Sequence, residues 1–267
     1  MQSAQILPRA FGSKAVMKTA FRTLLWFLGL TVVLPIGIGA GLGFAKGWPE
    51  NWKVASWASS GVLPAAKSVQ AAEVIVLASR TGGWKSIFAE HMSIVLKPAG
   101  AAQYTRYDVV GWGNPVRRDA YVADAYWYGN APRVIYKLEG DAAAHLIPKI
   151  ENNIASYPHS KKGAYTVWPG PNSNTFVSWV VRNTPGFDAE LSTTGVGKDW
   201  FGKGFKTSVA PSKTGWSFSY SGLIGGTLAW EEGIELHLLG STIGIDVNDA
   251  AIKLPALGKL SLFSVKD

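Results

Sequence analysis

Cysteine is absent from all 267 residues, which removes thiol nucleophiles, zinc–thiolate sites and disulfides together. Any nucleophile must therefore be another residue. The four histidines show no HxxxH or HExxH spacing, so no metal is expected. A glycine-rich GIGAGLG lies inside an apolar run with no strand before it, and no P-loop is present, so no nucleotide cofactor is expected either. The formal charge of +8 partly reflects the basic segment 1–23, and the remaining excess is scattered through the body of the chain without a Lys/Arg run. Nucleic acid is therefore not an expected partner, whereas anionic headgroups or envelope polymers fit the basic excess.

Between Leu24 and Ala45 the sequence LLWFLGLTVVLPIGIGAGLGFA carries no charge and has the length needed to cross a hydrocarbon core of about 30 Å. A cleaved signal peptide would have a shorter apolar region of about 7–15 residues, so the run is read as an uncleaved single span. Arg9, Lys14, Lys18 and Arg22 precede it, and only Lys46 and Lys53 follow closely. The positive-inside bias then puts the N-terminus in the cytoplasm and the bulk of the chain in the periplasm, anchored in the inner membrane. Trp48, Trp52 and Trp57 follow the span and are read either as an interfacial aromatic belt or as core residues. The resulting parse is a basic cytoplasmic segment at 1–23, a transmembrane helix at 24–45, a linker at 46–72 and one globular domain at 73–267, long enough to bury its own core.

In that domain EVIVLASR, HMSIVLKP, YTRYDVVGW and PRVIYKLEG read as strands, and Asp141 to Tyr157 carries Ile147, Ile150 and Ile154 at helical spacing, with Pro148 expected near the first turn. YTVW reads as a short strand before a Pro-Gly-Pro loop and a helix from about Asn172 to Asn183, closed by Pro185-Gly186. After a loop-rich stretch, the alternations Trp216/Phe218/Tyr220 and Ile243/Ile245/Val247 indicate further strands. No internal repeat occurs. The fold class expected is α+β.

The chemistry is expected where that last helix begins. Ser173 sits in its first turn, where free N–H groups favour developing negative charge, and Phe176, Val177 and Val180 share its face, which points it inward. If HMSIVLKP turns back into YTRYDVV, the register sets Asp108 opposite His91 within about two residues, with Arg106 and Tyr104 as other neighbours. A Ser173–His91–Asp108 set is thus available for acyl transfer. Ser173 as a plain helix cap and His91 as a structural residue are the competing readings. Asn172 and Asn174 are read as Asx-turn formers or as substrate and oxyanion contacts, and Trp168 and Tyr104 as aromatic surfaces for a substrate. His145 and His237 are weaker candidates, with no carboxylate at metal-ligand spacing beyond the ordinary.

The stretches AEHMSIVLKPAGAAQYTRYDVVGWGNPV and YTVWPGPNSNTFVSWVVRNTPGF resemble an uncharacterised bacterial family, a domain of unknown function, which lends no activity. More distantly, a His-bearing strand followed by a helix starting Asn172-Ser173-Asn174-Thr175-Phe176 is similar to circularly permuted papain-like proteins of the NlpC, PPPDE and lecithin-retinol-acyltransferase kinds, with Ser173 in the cysteine position. That resemblance implies an antiparallel sheet packed on helices, here with a β-rich C-terminal extension. It also implies an envelope hydrolase or acyltransferase acting on an amide or ester of peptidoglycan peptide or lipid. The alternative is an inactive papain-like domain that binds or scaffolds. Protein partners and oligomeric state are not specified by the sequence.

Overall fold

An apolar run with no carboxylate from residue 13 to residue 46 favours one continuous helix, because helical backbone satisfies its own polar groups. The structure, a computed structural model that describes residues 13–49 and 51–263, shows α1 (Ser13–Leu28) passing into α2 (Leu34–Lys46) through a π-helical turn at Gly29–Val33. Pro35 lacks an N–H and its ring crowds the carbonyl four residues back. The widened turn directly before it is where the ladder adjusts. The helix over Lys14–Lys46 is longer than the Leu24–Ala45 run and is long and apolar enough to be a membrane span or a signal sequence. Arg9, with all of 1–12, lies outside the described residues, as do Glu50 and 264–267.

Pro35 and Gly39 are buried in α2. A Cβ at Gly39 would stand 2.8 Å from the Ala256 Cβ and 3.1 Å from the Ile87 carbonyl oxygen, so the missing side chain is what lets the helix touch the folded body. Trp48 donates to Ser86 Oγ at 2.5 Å and Trp57 stacks on Tyr121, while Trp52 is exposed. The three tryptophans therefore divide between packing and surface.

The first sheet is antiparallel, built from β1 (Glu73–Arg80), β2 (Glu90–Lys97), β3 (Thr105–Val109), β4 (Val116–Arg118) and β5 (Arg133–Glu139) in the order β4-β3-β2-β1-β5. Val74, Val76, Met92, Ile94 and Tyr107 face α3 (Asp141–Ala155) and α4 (Ser173–Asn183), meeting Leu146, Ile150, Phe176 and Val180. Ile75, Leu77 and Val95 face the other way, under Leu63, Tyr104 and Ala123. Cover on both faces explains why β1 and β2 are buried along almost their whole length. Segment 46–72 supplies part of that cover, because Ser59 Oγ and the Leu63 N–H both donate to the Asp124 carboxylate.

Three local expectations change. Pro148 lies mid-helix on the exposed side of α3, not in its first turn. Tyr165–Trp168 is irregular, with Pro169 and Pro171 removing two ladder donors beside it. The short β4 has no counterpart in the expected pattern.

The second sheet is an antiparallel meander of β6 (Phe205–Val209), β7 (Gly215–Tyr220), β8 (Ile224–Ala229), β9 (Gly233–Leu238), β10 (Ser241–Asp246), β11 (Ala251–Leu254) and β12 (Gly258–Ser261), in sequence order across the sheet. The chain is thus α+β, with a long apolar N-terminal helix, a five-stranded sheet backed by helices and a seven-stranded C-terminal sheet. Phe176 is fully buried between α4 and β2. Phe176→Ala is expected to cost about 3–5 kcal/mol, read from urea unfolding in detergent by tryptophan fluorescence.

Candidate functional site

Helix α4 begins where it does because Asn172 caps it. The Asn172 Oδ1 accepts from the N–H groups of Asn174 and Thr175 at 2.9 and 3.1 Å, and Thr175 Oγ1 accepts from the Asn172 N–H at 3.1 Å. This reciprocal arrangement is a capping box. The Asn172 Nδ2 donates to the carbonyls of Val167 and Val196, so the whole amide is committed to structure.

Asn174 then fastens the helix start to the sheet. Its Oδ1 accepts from the Met92 N–H at 3.0 Å, and its Nδ2 donates to the Glu90 and Val196 carbonyls at 2.8 and 2.9 Å. Because those contacts flank His91 on both sides, Ser173 is carried to the start of β2. Ser173 and His91 line one cleft of about 1030 Å³, together with Asn172, Asn174, Trp127 and Trp168.

On β2 the pleat sends Met92 and Ile94 to the helices and His91 to the opposite face. The β2–β3 pairs are Ile94–Tyr107, Val95–Arg106 and Leu96–Thr105, which places Asp108 across from Ser93, two residues from the expected register. Parity is kept, so Asp108 and His91 share a face and meet on the diagonal. His91 Nε2 lies 2.7 Å from Asp108 Oδ1, and both residues are buried. Arg106 grips the same carboxylate with Nε at 2.8 Å from Oδ2 and Nη2 at 3.0 Å from Oδ1. The Trp127 ring stacks on the imidazole at 3.7 Å between centroids.

These contacts fix the charges. Burial works against ionisation of Asp108, but Arg106 and then His91 outweigh it and hold the carboxyl below its ordinary value. Burial lowers the His91 pKa from 6.5, and Asp108, already shared with Arg106, does not restore it. His91 is therefore neutral at pH 7. With Nε2–H donating to Asp108, Nδ1 is the basic nitrogen. Among the described residues neither His91 Nδ1 nor Ser173 Oγ has a hydrogen-bond partner, and neither is sealed from the cleft. No hydrogen bond joins the two. Of the first-turn N–H groups, those of Asn174 and Thr175 are held by the cap, which leaves the Ser173 N–H outside the capping arrangement.

Other residues fall elsewhere. Tyr104 lies outside the cleft, its hydroxyl donating to Glu73 Oε2 at 2.9 Å. Trp168 lines the cleft and donates its Nε1–H to the Leu239 carbonyl. His145 is exposed and bonded to the Asp141 carbonyl, and His237 is buried between Thr227 and Thr242. Glu90 and Trp127 have no signal in the sequence. Yet the buried Glu90 carboxylate gathers Arg133, Ser192 and Thr194 at 2.7, 2.5 and 2.7 Å, residues that line a second cavity of about 510 Å³ sharing Glu90 with the cleft. Glu190, Asp246 and Asp249 approach one another closely enough for a cation, but Lys259 already sits 2.8 Å from Glu190 and 2.7 Å from Asp246.

Asn174→Ala would leave the Met92 N–H and the Glu90 carbonyl without their partner, while the Val196 carbonyl keeps Asn172 Nδ2. At about 1–3 kcal/mol for a buried group left unpaired, the variant is expected to lose roughly 3 kcal/mol in thermal or urea unfolding. The Met92 amide is expected to lose its protection from hydrogen exchange.

No curated protein and no solved structure matches the chain. Residues 71–200 match the family model described as a protein of unknown function (DUF3750), a stretch that contains His91, Asp108, Asn172, Ser173 and Asn174 and ends before the second sheet.

Proposed function

We propose that the chain is a membrane-anchored envelope hydrolase or acyltransferase that acts on an amide or ester through Ser173. The observation that carries this reading is the pairing of His91 with buried Asp108 in the same cleft that Ser173 lines. The N-terminal helix serves as a single uncleaved span in the inner membrane. Its basic flank is cytoplasmic, and both sheets are in the periplasm. The order of a His-bearing strand before a helix starting at Ser173 supports a likeness to permuted papain-like proteins, with a serine hydroxyl where those carry a thiol.

In this mechanism Ser173 Oγ attacks the carbonyl carbon while its proton passes to His91 Nδ1. Asp108 holds the imidazole in the tautomer with hydrogen on Nε2. The imidazolium then returns the proton to the departing amine or alcohol, leaving an acyl-serine that water or a second acceptor opens by the reverse transfers. The Ser173 N–H, at the positive end of α4, faces the oxyanion. A serine depends on its base more than a cysteine does, because its hydroxyl is not partly ionised. Substrates of the right chemistry are peptidoglycan peptides and lipid esters or amides.

A second reading, a binding or scaffold domain, is favoured by the lack of a Ser173–His91 hydrogen bond and by the rings of Trp52, Trp84, Trp112, Trp127 and Trp168 around the cleft.

A fluorophosphonate probe applied to the full chain in detergent is expected to label wild type and to fail on Ser173→Ala and His91→Ala. Because the His91 pKa lies below 6.5, the labelling rate should stay on its plateau at pH 7 and fall below pH 6.5 as the ring takes up a proton. Equal labelling of His91→Ala would contradict the assignment. No labelling of a folded wild type would favour the binding reading.

A further inference from the structure

The seven-stranded sheet is built inside out. On β7, β8 and β9 the outward positions are Trp216, Phe218, Tyr220, Ile224, Leu228, Ile234 and Leu236, with Trp216 66% and Leu228 68% exposed. The inward positions are Ser217, Ser219, Thr227, Glu235 and His237, with Ser217 2% and Glu235 4% exposed. Lys253, also buried, pairs with Glu235 at 3.0 Å. A half-buried sheet in water has the opposite polarity. No charged side chain occupies an outward strand position from Ile224 on β8 to Ile245 on β10. With four six-residue strands of about 20 Å, each about 4.8 Å wide, the face of β7–β10 covers roughly 400 Å², within the range of the largest apolar patch on a soluble monomer, which is often functional.

The same sheet touches the N-terminal helix. Gly39 of α2 abuts Ala256 in the β11–β12 turn, and Arg80 donates to the Ala256 carbonyl at 2.6 Å. Gly39 lies seven residues before Lys46, about 10 Å along the axis at 1.5 Å per residue. The sheet therefore reaches below the outer end of the apolar helix, to a level where that helix exposes Ile38 and Leu42.

We propose that the outward face of β7–β10 is seated in the bilayer, at the boundary of headgroups and acyl chains in the leaflet that holds the outer end of α2. This makes the protein both anchored and embedded on one surface. The inference rests on reading α1–α2 as a membrane span and is independent of any reaction at Ser173. Trp216, Tyr220 and Trp230 on the face have the amphipathic rings that settle at the interface. Leu239, at the β9–β10 turn, joins this face to the cleft through its contact with Trp168, so the cleft mouth opens where a lipid-borne ligand would arrive.

The test uses the full chain, which has no native cysteine, reconstituted into phosphatidylcholine–phosphatidylglycerol vesicles. Spin labels are attached singly through Leu228→Cys, Ile234→Cys, Leu30→Cys in the helix and Lys162→Cys on an exposed loop, each variant matching wild type by circular dichroism. The expected result is a collision ratio of oxygen to a water-soluble nickel chelate several-fold higher at Leu228, Ile234 and Leu30 than at Lys162. Leu228 and Ile234 behaving like Lys162 while Leu30 remains in lipid would overturn the seating and keep the anchor. Shielding of Leu228 and Ile234 from both reagents would assign the face to a protein partner or a second copy instead. A water-like ratio at Leu30 would remove the span and the seating together.

Discussion

The Asn174 side-chain amide is the contact on which the site depends. It exchanges three hydrogen bonds with the backbone of Glu90, Met92 and Val196, and so joins the first turn of α4 to the first residues of β2. Buried amides that satisfy every donor and acceptor fix a geometry because any other arrangement strands a polar group. The apolar contacts of Phe176 and Val180 supply most of the burial between helix and sheet, but they would tolerate a small slide. The Asn174 bonds do not, and they hold Ser173 in the cleft that His91 also lines.

The second constraint is electrostatic. A buried carboxylate needs partners, and Asp108 has two on one face of the sheet, Arg106 and His91. The division matters because Arg106 keeps Asp108 ionised without help from a protonated histidine. The imidazole can then stay neutral, held in orientation by Asp108 and by the flat face of Trp127. A strand-strand diagonal, an alternating arginine and a stacked indole together produce a basic nitrogen at the wall of a cleft.

Much of this was legible in the sequence, for identifiable reasons. Runs such as EVIVLASR and HMSIVLKP declare strands through β-branched density, and the apolar period that follows the Pro-Gly-Pro loop marks a helix start near Asn172, although the cap is Asn172 with Thr175 and not Ser173. Strand parity survived a two-residue error in register, so His91 and Asp108 were placed on one face although Asp108 lies across from Ser93. What was not legible depends on distant parts of the chain. Trp127 reaches the site through a loop whose path no periodicity encodes, and Glu90, the first residue of β2, draws Ser192 and Thr194 from a stretch about a hundred residues on. Asn172 and Asn174, read as turn formers or ligand contacts, are fully used by the backbone. Tyr104 shares the strand region but points to the far cluster. The alternation of Trp216, Phe218 and Tyr220 announced a strand, yet alternation gives a period and not the identity of the solvent on each side.

The polarity of the second sheet and the chemistry of the first meet at the cleft, whose rim joins Trp168 to Leu239. The proposed acyl transfer at Ser173 and the proposed seating of the second sheet in lipid are parts of one design only if Ser173 and His91 act as a coupled pair. The most direct measurement of that coupling is the ionisation of the thiol introduced by Ser173→Cys, the sole thiol in the chain, followed by its alkylation rate against pH in the full-length protein. The account predicts a thiol pKa below the ordinary value of about 8.5, shifted back upward by His91→Ala. A pKa at or above that value, indifferent to His91, would contradict it.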